Sequence, residues 1–208
     1  MNWLPRILAW MMRASILLLS FYYLVEGDLF ASMLYVIAFL MSLLPLVVNA
    51  VYDVRLHWIF DLTFSFWLLW HMIGFLGAYD AIGWWDDLGH IYGGAILALI
   101  GFAWLYSMNA AGKMKLTLPM IGLFSVMWTT TAGVVWEVWE FLWDSAHGLV
   151  NVYGMAQNGL IDTMTDLSFD IIAGICMVLI CVYLVRHTHL KTKDRIINPF
   201  ISIIEKRN

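Results

Sequence analysis

Ionisable side chains set inside long apolar runs are the residues of this chain whose types and spacing could do chemistry. Asp87-x-x-His90 opens one run, Glu137-x-x-Glu140 lies late in the next with Asp144 beyond it, and Asp162, Asp166 and Asp170 recur at four-residue steps in a third. On helices, positions i, i+4 and i+8 share one face over roughly 12 Å of rise, and i, i+3 and i+7 also make one stripe. Asp87, Glu137, Glu140, Asp162 and Asp166 offer hard oxygens, and His90 adds one imidazole. Without the histidine such a set suits Mg²⁺, Mn²⁺ or Ca²⁺; with it, Mn²⁺, Fe²⁺ or Zn²⁺. The carboxylates suffice for one or two ions, in the manner of di-metal sites built on facing helices of a bundle. A metal held there would polarise a phosphoryl or carbonyl oxygen and generate a hydroxide nucleophile. His71, in the outer half of an earlier run, or a spare glutamate, is the candidate catalytic base.

A carboxylate left in hydrocarbon costs about 2.5–3.5 kcal/mol on the lenient insertion scale. No Lys or Arg occurs between Arg55 and Lys113 or between Lys115 and Arg186. The counter-charge must therefore be a proton, a histidine or a bound cation, and for five or six acids a divalent cation is the most economical. Taken singly, several of these residues have plainer readings. Asp86, Asp87 and Asp162 could cap helix N-termini, His90 could be a hydrogen-bonded core histidine, and Asp144 and His147 read as residues in water. Glu137 and Glu140 resist such readings because they lie within an apolar helix.

A second ionic feature lies toward the other side. Arg13 falls about two turns into the first run and Asp61 about one turn into the third. Arg13 either snorkels to the interface or pairs with Asp61 or Asp53, and a structural pair is the favoured reading. Asp170 with Asp61 on the opposite side could instead mark an ion path, since acids within the membrane are common on proton and cation routes.

The elements that must position these groups follow from composition. Of 208 residues, 62% are apolar and only 12% charged, and the mean hydropathy is +0.81. A soluble domain carries about 25% charged residues, so the solvent for this surface is a bilayer. Crossing it takes about 20 apolar residues. Six stretches qualify, about 7–25, 30–52, 58–78, 89–108, 116–143 and 160–185, which predicts an all-α, polytopic transmembrane bundle forming a single domain over 1–208. Pro45 predicts a kink near Ser42. The longest connection, 144–159, reads as a loop.

Lys and Arg set the orientation. All eleven fall on the N-terminal side, in the second and fourth connections, or in the tail; the other three connections carry Glu26, Asp28, Asp80, Asp86, Asp87 and Asp144. Both termini are therefore expected in the cytoplasm, with the acidic cluster toward the outer face of a plasma (inner) membrane. The stretch after the last span, 186–208, reads as a basic cytoplasmic tail contacting anionic lipid, its apolar part 196–204 lying along the inner surface. Trp84, Trp85, Trp136, Trp139 and Trp143 fall near the outer span ends and read as an interfacial belt. The N-terminal run lacks a small-x-small cleavage site and reads as a retained helix. Cys176 and Cys181 share one apolar run, which argues against a disulfide framework. Basic-aromatic surfaces for nucleic acid are absent, as are G-x-S-x-G, H-E-x-x-H and phosphate-cradling glycine loops.

Trp85-Asp86-Asp87-Leu88-Gly89-His90, Glu137-x-x-Glu140-Phe141 and Asp162-Thr163-Met164-Thr165-Asp166-Leu167 resemble, in order, the D-x-x-G-H, E-x-x-E-W and D-T-x-x-D-M signatures of the YjdF-like inner-membrane proteins. More distantly the arrangement is similar to VanZ-like proteins. The resemblance covers the third to sixth spans and implies a polytopic bacterial plasma-membrane protein, in a family whose activity is not established. Phe141 stands where that family usually has Trp.

Three functional readings follow. In one, the chain is a metal-dependent membrane hydrolase or transferase acting on a lipid or lipid-linked substrate, since only short outer loops could meet a soluble one. In another, it is an accessory or assembly subunit of a larger membrane complex, or a homo-oligomer, with a structural cation. In the third, it is a proton- or cation-coupled transporter.

Overall fold

The computed structural model describes residues 3–147, 159–187 and 190–206. The described residues form helices joined by short turns and contain no strand. In chain order the helices are α1 (Trp3–Val25), α2 (Leu29–Ser42), α3 (Leu44–Tyr52), α4 (Trp58–Ile73), the single turn α5 (Tyr79–Ala81), α6 (Trp85–Ala110), α7 (Leu118–His147), α8 (Leu160–His187) and α9 (Leu190–Lys206). Six stretches are long and apolar enough to cross a membrane: Trp3–Val25, Leu29–Tyr52, Trp58–Ala81, Trp85–Ala110, Leu118–Ser145 and Leu160–His187. The chain divides into two compact units, Met1–Ala78 with Asp194–Asn208, and Tyr79–Lys193.

In the first unit α1, α2 and α4 pack on one another around Ile16, Tyr35, Ala38, Leu68 and Met72. The Tyr35 hydroxyl donates to the Met72 carbonyl at 2.8 Å, which satisfies the polar end of a ring otherwise held by dispersion. Pro45 interrupts the second span: α2 ends at Ser42, and α3 restarts at Leu44 with the proline in its first turn. Arg13, fully buried, donates to the Ser42 carbonyl from Nε at 3.2 Å and from Nη2 at 2.7 Å. The same guanidinium is ion-paired with Asp61 and lies over the Trp10 ring, 5.1 Å from its centroid.

After the last span, Leu190–Lys206 are helical as α9. Its apolar side is buried at Ile197, Phe200, Ile203 and Ile204, with Phe200 edge-on to Phe60 at 5.3 Å. Those side chains thus pack on protein, where the sequence suggested a membrane surface. At its end Lys206 Nζ donates to the Tyr52 carbonyl at 2.7 Å and lies 3.5 Å from the Asp53 carboxylate. A cation at the C-terminus of α3 complements its exposed carbonyls.

The third span changes geometry near its end. A π-helical turn covers Gly74–Ala78, and Gly77 sits at φ 112°, a backbone state only glycine adopts cheaply.

In the second unit α6, α7 and α8 pack pairwise around Ala98, Phe102, Ile121, Val178 and Cys181. Each helix presents a stripe of four-residue spacing. On α6 it runs Asp86, His90, Gly94, Ala98 and Phe102; on α7, Ile121, Ser125, Thr129, Gly133 and Glu137; on α8, Asp162, Asp166, Asp170 and Gly174. Many large apolar side chains point the other way, with Val135 and Ile161 among the most exposed. Polar groups inside and hydrocarbon outside is the arrangement a lipid solvent selects.

Candidate metal centre

The second unit places Asp86, His90, Glu137, Glu140, Asp162 and Asp166 toward one end of α6, α7 and α8. α6 begins at Trp85, four residues before the span expected from hydropathy, so Asp86 lies in the first helical turn and one turn before His90. One ligand atom each from Asp86, His90 and Asp166 lies within 4.8 Å of the others. His90 Nε2 is 3.9 Å from Asp86 Oδ1 and 3.8 Å from Glu137 Oε1, while its Nδ1 is 3.4 Å from Asp170 Oδ2. His90, Glu137, Glu140, Asp166 and Asp170 are all buried, Asp166 at 1% exposure. Asp86 is half-buried and stands at the rim.

Hydrogen bonds account for only part of this polarity. Trp136 Nε1 donates to Glu140 Oε1 at 2.9 Å, so this tryptophan, expected from the sequence in an interfacial belt, serves the cluster. Tyr79 lies within electrostatic reach of Asp86 and Glu140. Yet His90 Nε2, both carboxylate oxygens of Glu137, Glu140 Oε2 and Asp166 Oδ2 are buried without a hydrogen-bond partner. Thr163 stands beside Glu137. Each such group forfeits about 1–3 kcal/mol of desolvation energy unless something compensates it.

The donor set fits a divalent cation. Donors bound to one ion at 2.0–2.6 Å are separated from each other by about 3–5 Å, the range in which Asp86, His90 and Asp166 already lie. Carboxylates with one imidazole favour Mn²⁺, Fe²⁺ or Zn²⁺ over Ca²⁺.

The residues expected from the sequence are distributed as follows. His90 and Asp166 belong to the triad, Glu137 adjoins it, and Glu140 is buried on the same helix as Glu137. Asp162, half-buried, is one turn toward the rim from Asp166. Asp87 is half-buried in the first turn of α6 and is not in the triad, whereas Asp86 is. The signal for Asp86 was its i, i+4 relation to His90; at i, i+3, Asp87 is rotated away by about a sixth of a turn. The D-x-x-G-H pattern also begins at Asp86. His71 is buried in the first unit, edge-on to Trp67 at 5.0 Å. Asp61 is in that unit too, engaged with Arg13. Asp144 lies within α7, half-buried, because that helix continues to His147. The side chain of His147 and the 148–158 connection lie outside the described residues.

Comparison with known proteins returns one family. The model of the "Predicted membrane protein (DUF2238)" family matches residues 7–187, a range that includes the six spans, but for the first four residues of α1, and every residue of the cluster. An uncharacterised protein of Thermotoga maritima is 31% identical over 98 residues, 47% of each chain. The chain thus spans about half the length of that curated relative. No solved structure matches.

Proposed function

Because the chain belongs to the DUF2238 family of predicted membrane proteins and holds a buried carboxylate–histidine group between its spans, we propose that it works as a divalent-metal protein of the membrane. Asp86, His90 and Asp166 are the first ligands, with Glu137 next to them. One observation carries this reading: His90, Glu137 and Asp166 each bury ligand atoms that have no hydrogen-bond partner, and they stand together with Asp86, His90 lying 3.8 Å from Glu137 and within 4.8 Å of ligand atoms of Asp86 and Asp166. A metal would satisfy them together, which separate protons would do only by adding donors that themselves need acceptors.

The chemistry we assign to the site is Lewis-acid activation of a phosphoryl or carbonyl oxygen in a lipid or lipid-linked substrate. Support comes from the half-buried rim at Asp86 and Asp162, which leaves one side of the donor set near the surface. The order of the three motifs supports a place among the YjdF-like proteins. The distribution of Lys and Arg supports a plasma-membrane setting with both termini cytoplasmic and the site outward.

A second reading, a structural cation in an accessory or assembly subunit, is favoured by the near-complete burial of Glu137, Glu140, Asp166 and Asp170. An ion path through Asp170 draws less support, because glycines of α6 and α7 close on that residue.

The test is elemental analysis of the purified protein, wild type beside Glu137→Gln/Asp166→Asn, before and after metal supplementation. Near-stoichiometric divalent metal in the wild type and its loss in the variant is the expected result. No metal in either sample overturns the metal reading. Stoichiometric metal together with a partner that co-elutes in mild detergent moves the assignment to the accessory role.

A further inference from the structure

Asp170 has no place in the triad, yet glycines on two neighbouring helices close on it. A Cβ added at Gly94 on α6 would lie 2.9 Å from the Asp170 carbonyl oxygen and 3.1 Å from its Oδ1. One added at Gly133 on α7 would collide with its carboxylate. Gly94 is one turn from His90 on α6, and Gly133 is one turn from Glu137 on α7. The helix contact immediately below the cluster is therefore shaped around this one side chain. Helices approach closely where small residues let them, and here the approach leaves the Asp170 carboxylate facing His90.

The ring of His90 bridges two environments. Its Nδ1 lies 3.4 Å from Asp170 Oδ2. Its Nε2 points to Asp86 and Glu137 at 3.9 and 3.8 Å and has no hydrogen-bond partner. We infer that Asp170 is a positioning residue: its carboxylate holds the Nδ1–H of His90 and so directs Nε2, as the ligand atom, at Asp86, Glu137 and Asp166. Metal-bound histidines generally donate their other N–H to a carboxylate or carbonyl, which fixes tautomer and ring orientation. The two glycines leave the room in which the carboxylate reaches this position. This inference rests on the metal reading for its purpose, but not for its geometry.

The experiment is NMR of the full-length chain with ¹⁵N-labelled histidine, Zn²⁺ as the diamagnetic probe, and His90→Gln to assign the signal. In wild type, Zn²⁺ is expected to shift Nε2 while Nδ1 keeps its proton; Zn²⁺ on Nδ1 overturns the inference without recourse to any folding-sensitive variant. Asp170→Asn is expected to weaken Zn²⁺ binding by about 10–100-fold and to change the Nδ1–H resonance. Binding within twofold of wild type, with that resonance unchanged, overturns it. If wild type takes up no Zn²⁺, the metal reading fails separately and the metal-free spectra decide. A protected Nδ1–H present in wild type and lost in Asp170→Asn supports the positioning role, and one identical in both overturns it.

Discussion

Arg13 takes up the Ser42 carbonyl that the helix break at Pro45 releases. In an unbroken helix the Ser42 oxygen would accept from the amide of Leu46, but that amide bonds instead to Leu43 at 2.9 Å. The released oxygen accepts twice from the Arg13 guanidinium, which is anchored in turn by Asp61. A proline break, a buried arginine and an aspartate thus form one unit: each would be costly in hydrocarbon alone, and together they offset part of one another's cost.

It follows that Pro45 and Arg13 are energetically coupled. Arg13→Met is expected to destabilise the protein by about 3–5 kcal/mol, the cost of removing one member of a buried pair. In a Pro45→Ala background the cost should shrink by about 1 kcal/mol or more, since Leu46 can then serve Ser42. Unfolding of the single and double variants in mild detergent measures this, and additivity within roughly 0.5 kcal/mol would refute the coupling.

Asp86 and Asp87 are adjacent in sequence and should behave differently. Asp86→Asn is expected to weaken Zn²⁺ or Mn²⁺ binding at least as much as the roughly 10–100-fold attached to outer partners of a metal. Asp87→Asn should leave binding within about twofold, since Asp87 is outside the triad. Titration calorimetry on the two variants separates them; equal losses would mean that the first turn of α6 is rotated from the position described.

Gly133 and Gly83 offer a paired test of the packing around Asp170. Gly133→Ala forces a methyl into the Asp170 carboxylate and should cost about 1–3 kcal/mol, as overpacking does. Gly83→Ala meets nothing within 4 Å and should stay within about 0.5 kcal/mol of wild type. Thermal melts of both variants check this, and a neutral Gly133→Ala would contradict the close three-helix approach.

Orientation can be read by labelling. With Cys176 and Cys181 replaced by Ala, a single cysteine at Gly83 should react with a membrane-impermeant maleimide on intact cells. One at Met114 should react only after permeabilisation. The reverse pattern would invert the assignment and put the metal centre on the cytoplasmic side.

The sequence alone determined the solvent of this protein and its element type. Apolar runs of about 20 residues have no stable home but a bilayer, and a bilayer admits backbone only as helices or closed barrels. The six spans were legible within a few residues for that reason. So was the set of residues in need of explanation, because an acid in an apolar run is costly wherever the helix goes. Tertiary structure decided which of them meet. Hydropathy started the fourth span at Gly89, because Asp86 and Asp87 look like loop; packing against α7 and α8 extends the helix to Trp85 and turns Asp86 to His90. The i, i+4 spacing hinted at this, but helical phase becomes visible only once neighbours fix the buried side. His71 shares with the cluster a depth inferred from hydropathy, yet it belongs to a separate unit. Asp170 shares a face with Asp162 and Asp166, but glycines on two other helices, some 37 and 76 residues away in the chain, set its partner. Periodicity records what one helix can present; only the contact between helices selects what it is presented to.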